Sequence, residues 1–472
     1  MDWSKLLSAI RVRQMYEGGS TTRQDDDARS EFDRDYGRTV FSTPVRRLQD
    51  KAQVFPLERC DAIRTRLTHS NEVSSVARGL AEAVAKWMLE RDQIRDAGDV
   101  SAITSIAATC GLIHDLGNPP FGHAGETAIS DWFGEKVRSQ PDFFSDLGQP
   151  TPESRKTQFA QDFLNFEGNA QTQRLLSRLQ ILADEYGLNL TCGTLSASCK
   201  YVARSNQIDP NVHERSKHGF FASENDLIDR IRSETGTGES RNPITYLVEA
   251  SDDIVYSSVD LEDGVKKGIL SWDKVEDLLH EHVGPKSRPL ERALENTHKK
   301  IDKAKLQGRR KDEALSQAFR TNAIIESVRA ATEAYKTNYD KIIGGNYHNE
   351  LLKDSDASGL IAACKKVGRD YMYVSDETLK LEILGRRVIQ DLLELFWEAV
   401  KDYSPKSKLT RFSSKLYKLT SANYRAVFEK NLQSASSDGP SALYFKLQLV
   451  TDHISGMTDS YACDLHKSLT NG

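Results

Sequence analysis

Apolar residues recur at helical spacing along almost the whole chain and alternating strand patterns are nearly absent, so the fold is expected to be mostly α. Three of the apolar stripes carry a polar residue where the core should continue. Between His69 and Arg91, Val73, Val76, Ala77, Leu80, Val84, Trp87 and Met88 form one stripe, which His69 extends by a turn toward the N-terminus. A second stripe, Ile103, Ile106, Ala107 and Cys110, is extended by His114, and Ser101 or a neighbour is placed to cap its helix. A third helix starts near Pro243, a residue suited to a first turn, and sets Val248, Asp252, Val255 and Val259 on one side. Burying an ionised carboxylate without a partner is costly, and a bound cation is one of the few things that offset it.

With 472 residues, 38% of them hydrophobic, the chain has enough apolar surface for large cores without disulfides. Its six cysteines (Cys60, Cys110, Cys192, Cys199, Cys364, Cys463) form no CxxC pair and read as reduced, mostly buried thiols. A net charge of −5 argues against wholesale coating of nucleic acid or anionic membrane, although local basic patches stay open. No apolar run is long enough to cross a membrane, and Asp2 precedes any signal-like core, so a cytoplasmic protein is expected. Neither an internal repeat nor a long Pro/Gly/Ser linker divides the chain, which favours one helical body with insertions. The polar runs Gly18–Asp27 and Ser233–Asn242 are expected to be mobile loops.

The most informative stretch is Gly111–Glu126, GLIHDLGNPPFGHAGE. His114 and Asp115 are neighbours and cannot share a helix face, but at a helix end both reach an ion sitting off the terminus. Leu116-Gly117-Asn118-Pro119-Pro120 stops the helix there. With His69 and Asp252 they make two imidazoles and two carboxylates. That set suits Mn, Fe, Co or Zn, with Mg also possible, and leaves positions open for water or a phosphate oxygen. His123 and Glu126, three residues apart, face the same way on a helical turn as a His–carboxylate pair. Tyr256 follows Asp252 by four residues, so its ring points toward the same cavity.

His69, His114-Asp115 and Asp252 resemble the H…HD…D pattern of the HD-domain phosphohydrolases. RRLQDKAQVFP (Arg46–Pro56), RTRLTHS (Arg64–Ser70), HDLGNPPFGHAGE, NFEGNAQTQRLL (Asn165–Leu176), YLVEASDDIVYSSVDLEDGV (Tyr246–Val265) and DHISGMTDSYA (Asp452–Ala462) are similar, in order, to the long bacterial form of the deoxyguanosine triphosphate triphosphohydrolases, or dGTPases. The resemblance runs from about residue 30 to the C-terminus. It implies an HD-domain helical bundle elaborated with additional helices into a single large body: residues 1–30 as an N-terminal segment, 31–275 as the catalytic core and 276–472 as a helical region completing the nucleotide pocket and oligomer contacts.

The activity implied is metal-dependent conversion of dGTP, and of other dNTPs, to deoxynucleoside and tripolyphosphate by water attack at the α-phosphorus, with Mn or Mg as the expected ion. His69, His114, Asp115 and Asp252 would hold the metal, His123 would meet the attacking water or the leaving 5′-oxygen, and Glu126 would orient it. Tyr256 would pack on the deoxyribose where a 2′-hydroxyl would clash, Gln53 would bind the 3′-hydroxyl, and Val54 lies toward the base. A triphosphate demands cations. Arg66 is the first choice, and Lys200, Tyr201 and Lys217 lie in segments similar to the family's phosphate-binding region, although Val202 stands where the family often has proline. Asp253, Glu167 and Asn169 are supporting residues, the last two with no chemistry assigned.

The resemblance further implies a homo-oligomer, a hexamer in this family, and single-stranded DNA as an effector. Lys286–Lys311, with ten Lys or Arg against three Glu or Asp, is the candidate surface, or else a solvated helix face. Two other readings stay open. One is a different HD hydrolase, a 5′-deoxynucleotidase or a guanosine tetraphosphate hydrolase. The other is a nucleotide or single-stranded DNA sensor that keeps the site for binding alone, against which the His123–Glu126 pair speaks.

Overall fold

The computed structural model describes residues 1–19, 28–58, 60–147, 156–180, 185–283, 287–301, 305–374, 376–405, 409–436 and 439–470. It is 69% helical, and only isolated bridges stand in for strands among the described residues, as the stripes require. No described helix is long and apolar enough to cross a membrane.

Three helices position the site. The first, Arg66–Leu89, is capped by Thr65 and buries His69 in line with Val73, Ala77, Leu80, Val84 and Met88. The second, Ala97–Ile113, starts earlier than a Ser101 cap would allow: the Asp96 carboxylate accepts from the N–H groups of Gly98 and Asp99 and starts the helix there. The third, Pro243–Lys267, has Pro243 in its first turn and Asn242 as its cap. The first two pack tightly just before His114, where a Cβ on Gly111 would sit 2.8 Å from Ser74 Cα. Glycine is therefore what lets the two backbones close and brings His114 beside His69.

The buried apolar residues form large clusters that ignore chain order. Cys110 and the residues before it belong to a core shared with the first helix, Leu247, Ile254 and Tyr335. Leu112, Ile113 and Leu116 belong to another, built on Phe133, Phe163, Leu392, Phe396 and Tyr444. The second helix thus crosses from one core to the other, and its end, with His114 and Asp115, falls at the seam. A third core joins Leu261 and Val265 to Trp272, Leu290, Phe319 and Leu360.

Of the two expected loops, Gly18–Asp27 lies outside the described residues from residue 20 onward. Ser233–Asn242 is not the free loop its polarity suggests. It opens as the last turn of the helix Asn225–Thr235, and Arg241 is buried with its guanidinium on Glu249, at 2.7 and 3.2 Å. That partner is remote enough in structure that local composition does not announce it.

Candidate metal centre and nucleotide cavity

A cavity of about 510 Å³ opens at the seam and gathers residues from all the motifs quoted above except Asp452–Ala462. At its floor, His69 Nε2 lies 3.2 Å from Asp252 Oδ1, and His114 Nε2 lies 3.5 Å from both Asp252 Oδ1 and Asp115 Oδ2. Donor atoms of His69, His114 and Asp115 all fall within 4.8 Å of one another. The two imidazoles meet edge to face, 5.4 Å between centroids.

His114 Nδ1 donates to the Gly111 carbonyl at 2.8 Å, which fixes the tautomer and turns Nε2 inward. That buried nitrogen has no hydrogen-bond partner. Burial pushes the His114 pKa down, but Asp115 and Asp252 overcome it and carry it up to about 9. Burial likewise raises Asp252, and the His114 charge with the His69 hydrogen bond outweighs it, holding the carboxyl well below its usual range. Asp115 is held from both sides, Oδ1 by Asn118 Nδ2 at 2.8 Å and Oδ2 by Arg66 at 2.5 Å. An inward nitrogen without a partner, a second imidazole and two ionised carboxylates fit a divalent cation, with the ligand orientation already set by neighbouring groups.

Arg66, the first choice for a triphosphate, lines the cavity wall with its guanidinium on Asp115. His123 and Glu126 sit in the first turns of the helix Gly122–Ser139, with Nδ1 2.7 Å from Oε2. The His123 ring is exposed to the cavity, whereas Glu126 is buried and its other oxygen accepts the Gly168 N–H at 2.8 Å. The hydrogen bond to Glu126 raises the His123 pKa above its ordinary value.

Glu167 and Asn169 acquire the chemistry that their sequence left unassigned. Glu167 pairs with Lys217 at 2.7 Å and caps its own helix by accepting from Asn169. Lys200 Nζ stands 3.9 Å from both Glu249 and Asp252, and those carboxylates hold its pKa up against burial. Asp253 pairs with Lys365 at 2.6 Å. Gln53, Val54 and Tyr256 also line the wall, and the Tyr256 ring stacks on Tyr373, 6.3 Å between centroids. Tyr201 lies at the Lys217 end, its ring centroid 6.0 Å from Nζ.

Among the lining residues without a role assigned from the sequence are Glu249, Tyr373, Thr378 and Glu382. Glu249 precedes Asp252 by three residues on one helix, a spacing that places it on the same face. The other three come from the C-terminal third and carry no local signal. The described part of Lys286–Lys311 is partly neutralised within the chain: Arg292 pairs with Glu326 at 2.7 Å and Arg309 with Glu313 at 2.9 Å.

Gly168 offers a direct probe of this arrangement. A Cβ there would sit 2.2 Å from Asn118 Oδ1 and 2.7 Å from Glu126 Oε1. Gly168→Ala should therefore displace the groups that hold Asp115 and Glu126, lowering metal affinity or turnover by about 10–100-fold. Metal titration and steady-state rates on the variant check it; unchanged values would show that these supports are dispensable.

Two curated relatives match nearly end to end. The deoxyguanosinetriphosphate triphosphohydrolase-like protein of Listeria innocua is 37% identical over 475 residues, covering 99% of each chain. The protein of the same description from Listeria monocytogenes is 37% identical over 473 residues, again covering 99% of each. No family model matches the chain.

Proposed function

The chain belongs to the deoxyguanosinetriphosphate triphosphohydrolase-like family, and on that premise we propose that it hydrolyses dGTP, and other dNTPs, to deoxynucleoside and tripolyphosphate. The observation that carries the reading is the His123–Glu126 pair opening into the same cavity as two imidazoles and two carboxylates arranged for a divalent cation. A site built only to bind would not need that pair.

His69, His114, Asp115 and Asp252 would hold the ion, Mn or Mg. Bound there, it would supply Lewis-acid polarisation of an α-phosphate oxygen and charge stabilisation as the bond to the 5′-oxygen breaks. The chain's own residues do the rest. His123 has Nδ1 committed to Glu126, so the proton passing between attacking water and departing 5′-oxygen is handled at Nε2. Glu126, locked by the Gly168 N–H, keeps the ring oriented and favours its charged form. Lys200 and Lys217 face the polyphosphate, each already ammonium and each loosely or singly tied to a carboxylate. Arg66 steadies Asp115 and lends its charge to the same end. Tyr256, backed by Tyr373, presents a flat wall to the sugar, and a 2′-hydroxyl would have to displace it.

Incubation with each dNTP and with GTP, in Mn or Mg, followed by phosphorus NMR and nucleoside chromatography, tests this directly. Deoxyguanosine with tripolyphosphate is expected, GTP should persist, and a chelator should stop the reaction. Orthophosphate or pyrophosphate as the first product would replace the reading with another HD phosphohydrolase, and no turnover would leave a binding protein.

A further inference from the structure

The motif Asp452–Ala462 near the C-terminus lies far from the cavity in sequence, and the chemistry above makes no use of it. Its Asp459 is 2% exposed and opens the helix Asp459–Thr470. One carboxylate oxygen accepts the Phe121 N–H at 2.9 Å and the other accepts the Ala52 N–H at 3.0 Å. These two amides stand just ahead of residues that matter on the cavity wall, on two separate stretches of chain. Ala52 leads into Gln53 and Val54, and Phe121-Gly122 leads into His123; all of them line the cavity.

Phe121 has φ +62°, a left-handed conformation that a residue with a side chain adopts only when its surroundings hold it there. Its N–H is spent on Asp459 and it stands directly ahead of the helix that carries His123. The same C-terminal segment grips the stretch leading into Gln53 a second time. Lys51, buried beside Ala52, donates to the carbonyls of Ser455 and of Asn118, the residue whose side chain holds Asp115. Arg47 donates to the Gly456 carbonyl at 3.0 Å.

We propose that Asp459 is a positioning residue for hydrolysis: its carboxylate, accepting the Ala52 and Phe121 amides together, sets the sugar-contacting Gln53 and the proton-handling His123 in register with each other on the cavity wall. This rests on the roles given to Gln53 and His123 above. Both oxygens are needed as acceptors. Asparagine has the same shape but only one acceptor, and its NH₂ would face a backbone N–H. The geometry also assigns the C-terminal motif a part in the reaction without any contact with substrate.

Asp459→Asn tests it, read with dGTP and with 2′,3′-dideoxyguanosine triphosphate. The wild-type chain should prefer the substrate that has the 3′-hydroxyl. The variant should lose about tenfold in kcat/KM on dGTP, the size of one charge-assisted hydrogen bond, and much of that preference, with bound metal unchanged. Ser460→Ala removes the neighbouring hydrogen bond to Asp50, 2.8 Å, and should change neither quantity. A folded D459N variant with wild-type kcat/KM and preference overturns the proposal, as does an equal loss in Ser460→Ala. If D459N fails to fold, amide exchange on the native chain decides: Ala52 and Phe121 should be protected to the same degree, and rapid exchange at either overturns the proposal. A wild-type chain inactive on every dNTP would instead overturn the reading of the whole cavity.

Discussion

His123→Ala should lower kcat on dGTP by about 10²–10⁴-fold, the range for a lost general acid or base, while leaving metal content and nucleotide affinity close to wild type. The separation follows from where the ring sits. Its side chain is 85% exposed, so its removal leaves no void in a core. The nitrogens proposed to hold the metal belong to other residues, His69 and His114, carried by other helices or their ends. Only Glu126 loses a partner, and its second oxygen keeps the Gly168 N–H. Metal analysis, calorimetric titration with dGTP and single-turnover rates read the three quantities independently. Near-wild-type turnover in this variant would remove His123 from the proton path, and a parallel loss of metal would mean that its role is structural. Glu126→Gln should fall between the two proteins, because a neutral amide still orients the ring but no longer favours its charged form.

Much of the architecture was legible because helical periodicity is a local property. The stripes ending in His69 and His114 and the Pro243 start identify three helices, and their apolar faces require that the polar residues at the stripe positions meet. The Asp96 cap carries no signal in the apolar stripe, which begins after it. Asp99 and Val100 already lie within the helix that Asp96 starts. What escaped the sequence is non-local. Arg66 looks like a free cation until Asp115, on another helix end, is found against it. Ser233–Asn242 looks like a loop until Arg241 is seen on Glu249. Glu167 reads as an unexplained acid until Lys217 closes on it, and Tyr373 and Glu382 reach the cavity from a region without a motif. In each case the deciding partner is set by packing between elements rather than by spacing within one.

The largest loss of stability from a single side chain is expected at Arg174, which the cavity does not use. Its guanidinium is buried and meets Asp452 with Nε at 2.8 Å and Nη2 at 2.7 Å, while Nη1 meets Glu224 at 2.9 Å. It thereby ties the helix Gly168–Arg174, which carries the Gly168 support for Glu126, to the helix Ala442–Ser455 and to the turn at Glu224. Arg174→Met fills most of the volume yet leaves two buried carboxylates without their cation. Breaking a buried pair in this way costs about 3–5 kcal/mol, far more than replacing both partners together with apolar groups. Urea unfolding of metal-free protein at pH 7 measures it without the added stabilisation of a bound ion. The pH dependence has a definite sign. Burial already raises Glu224 against the pull of Arg174, so without the arginine its folded-state pKa must climb further above the unfolded value. A carboxyl whose folded pKa exceeds its unfolded one costs stability at neutral pH and recovers it as protons bind. The deficit of the variant should therefore narrow as the pH falls through that raised folded pKa and disappear most nearly below the ordinary glutamate range. A deficit that is small at pH 7, or that widens toward acid, would show that water or another cation reaches these carboxylates. By contrast the exposed pair Lys86–Glu82, 2.7 Å apart on a helix surface, should be removable without measurable loss, since solvent screens both charges.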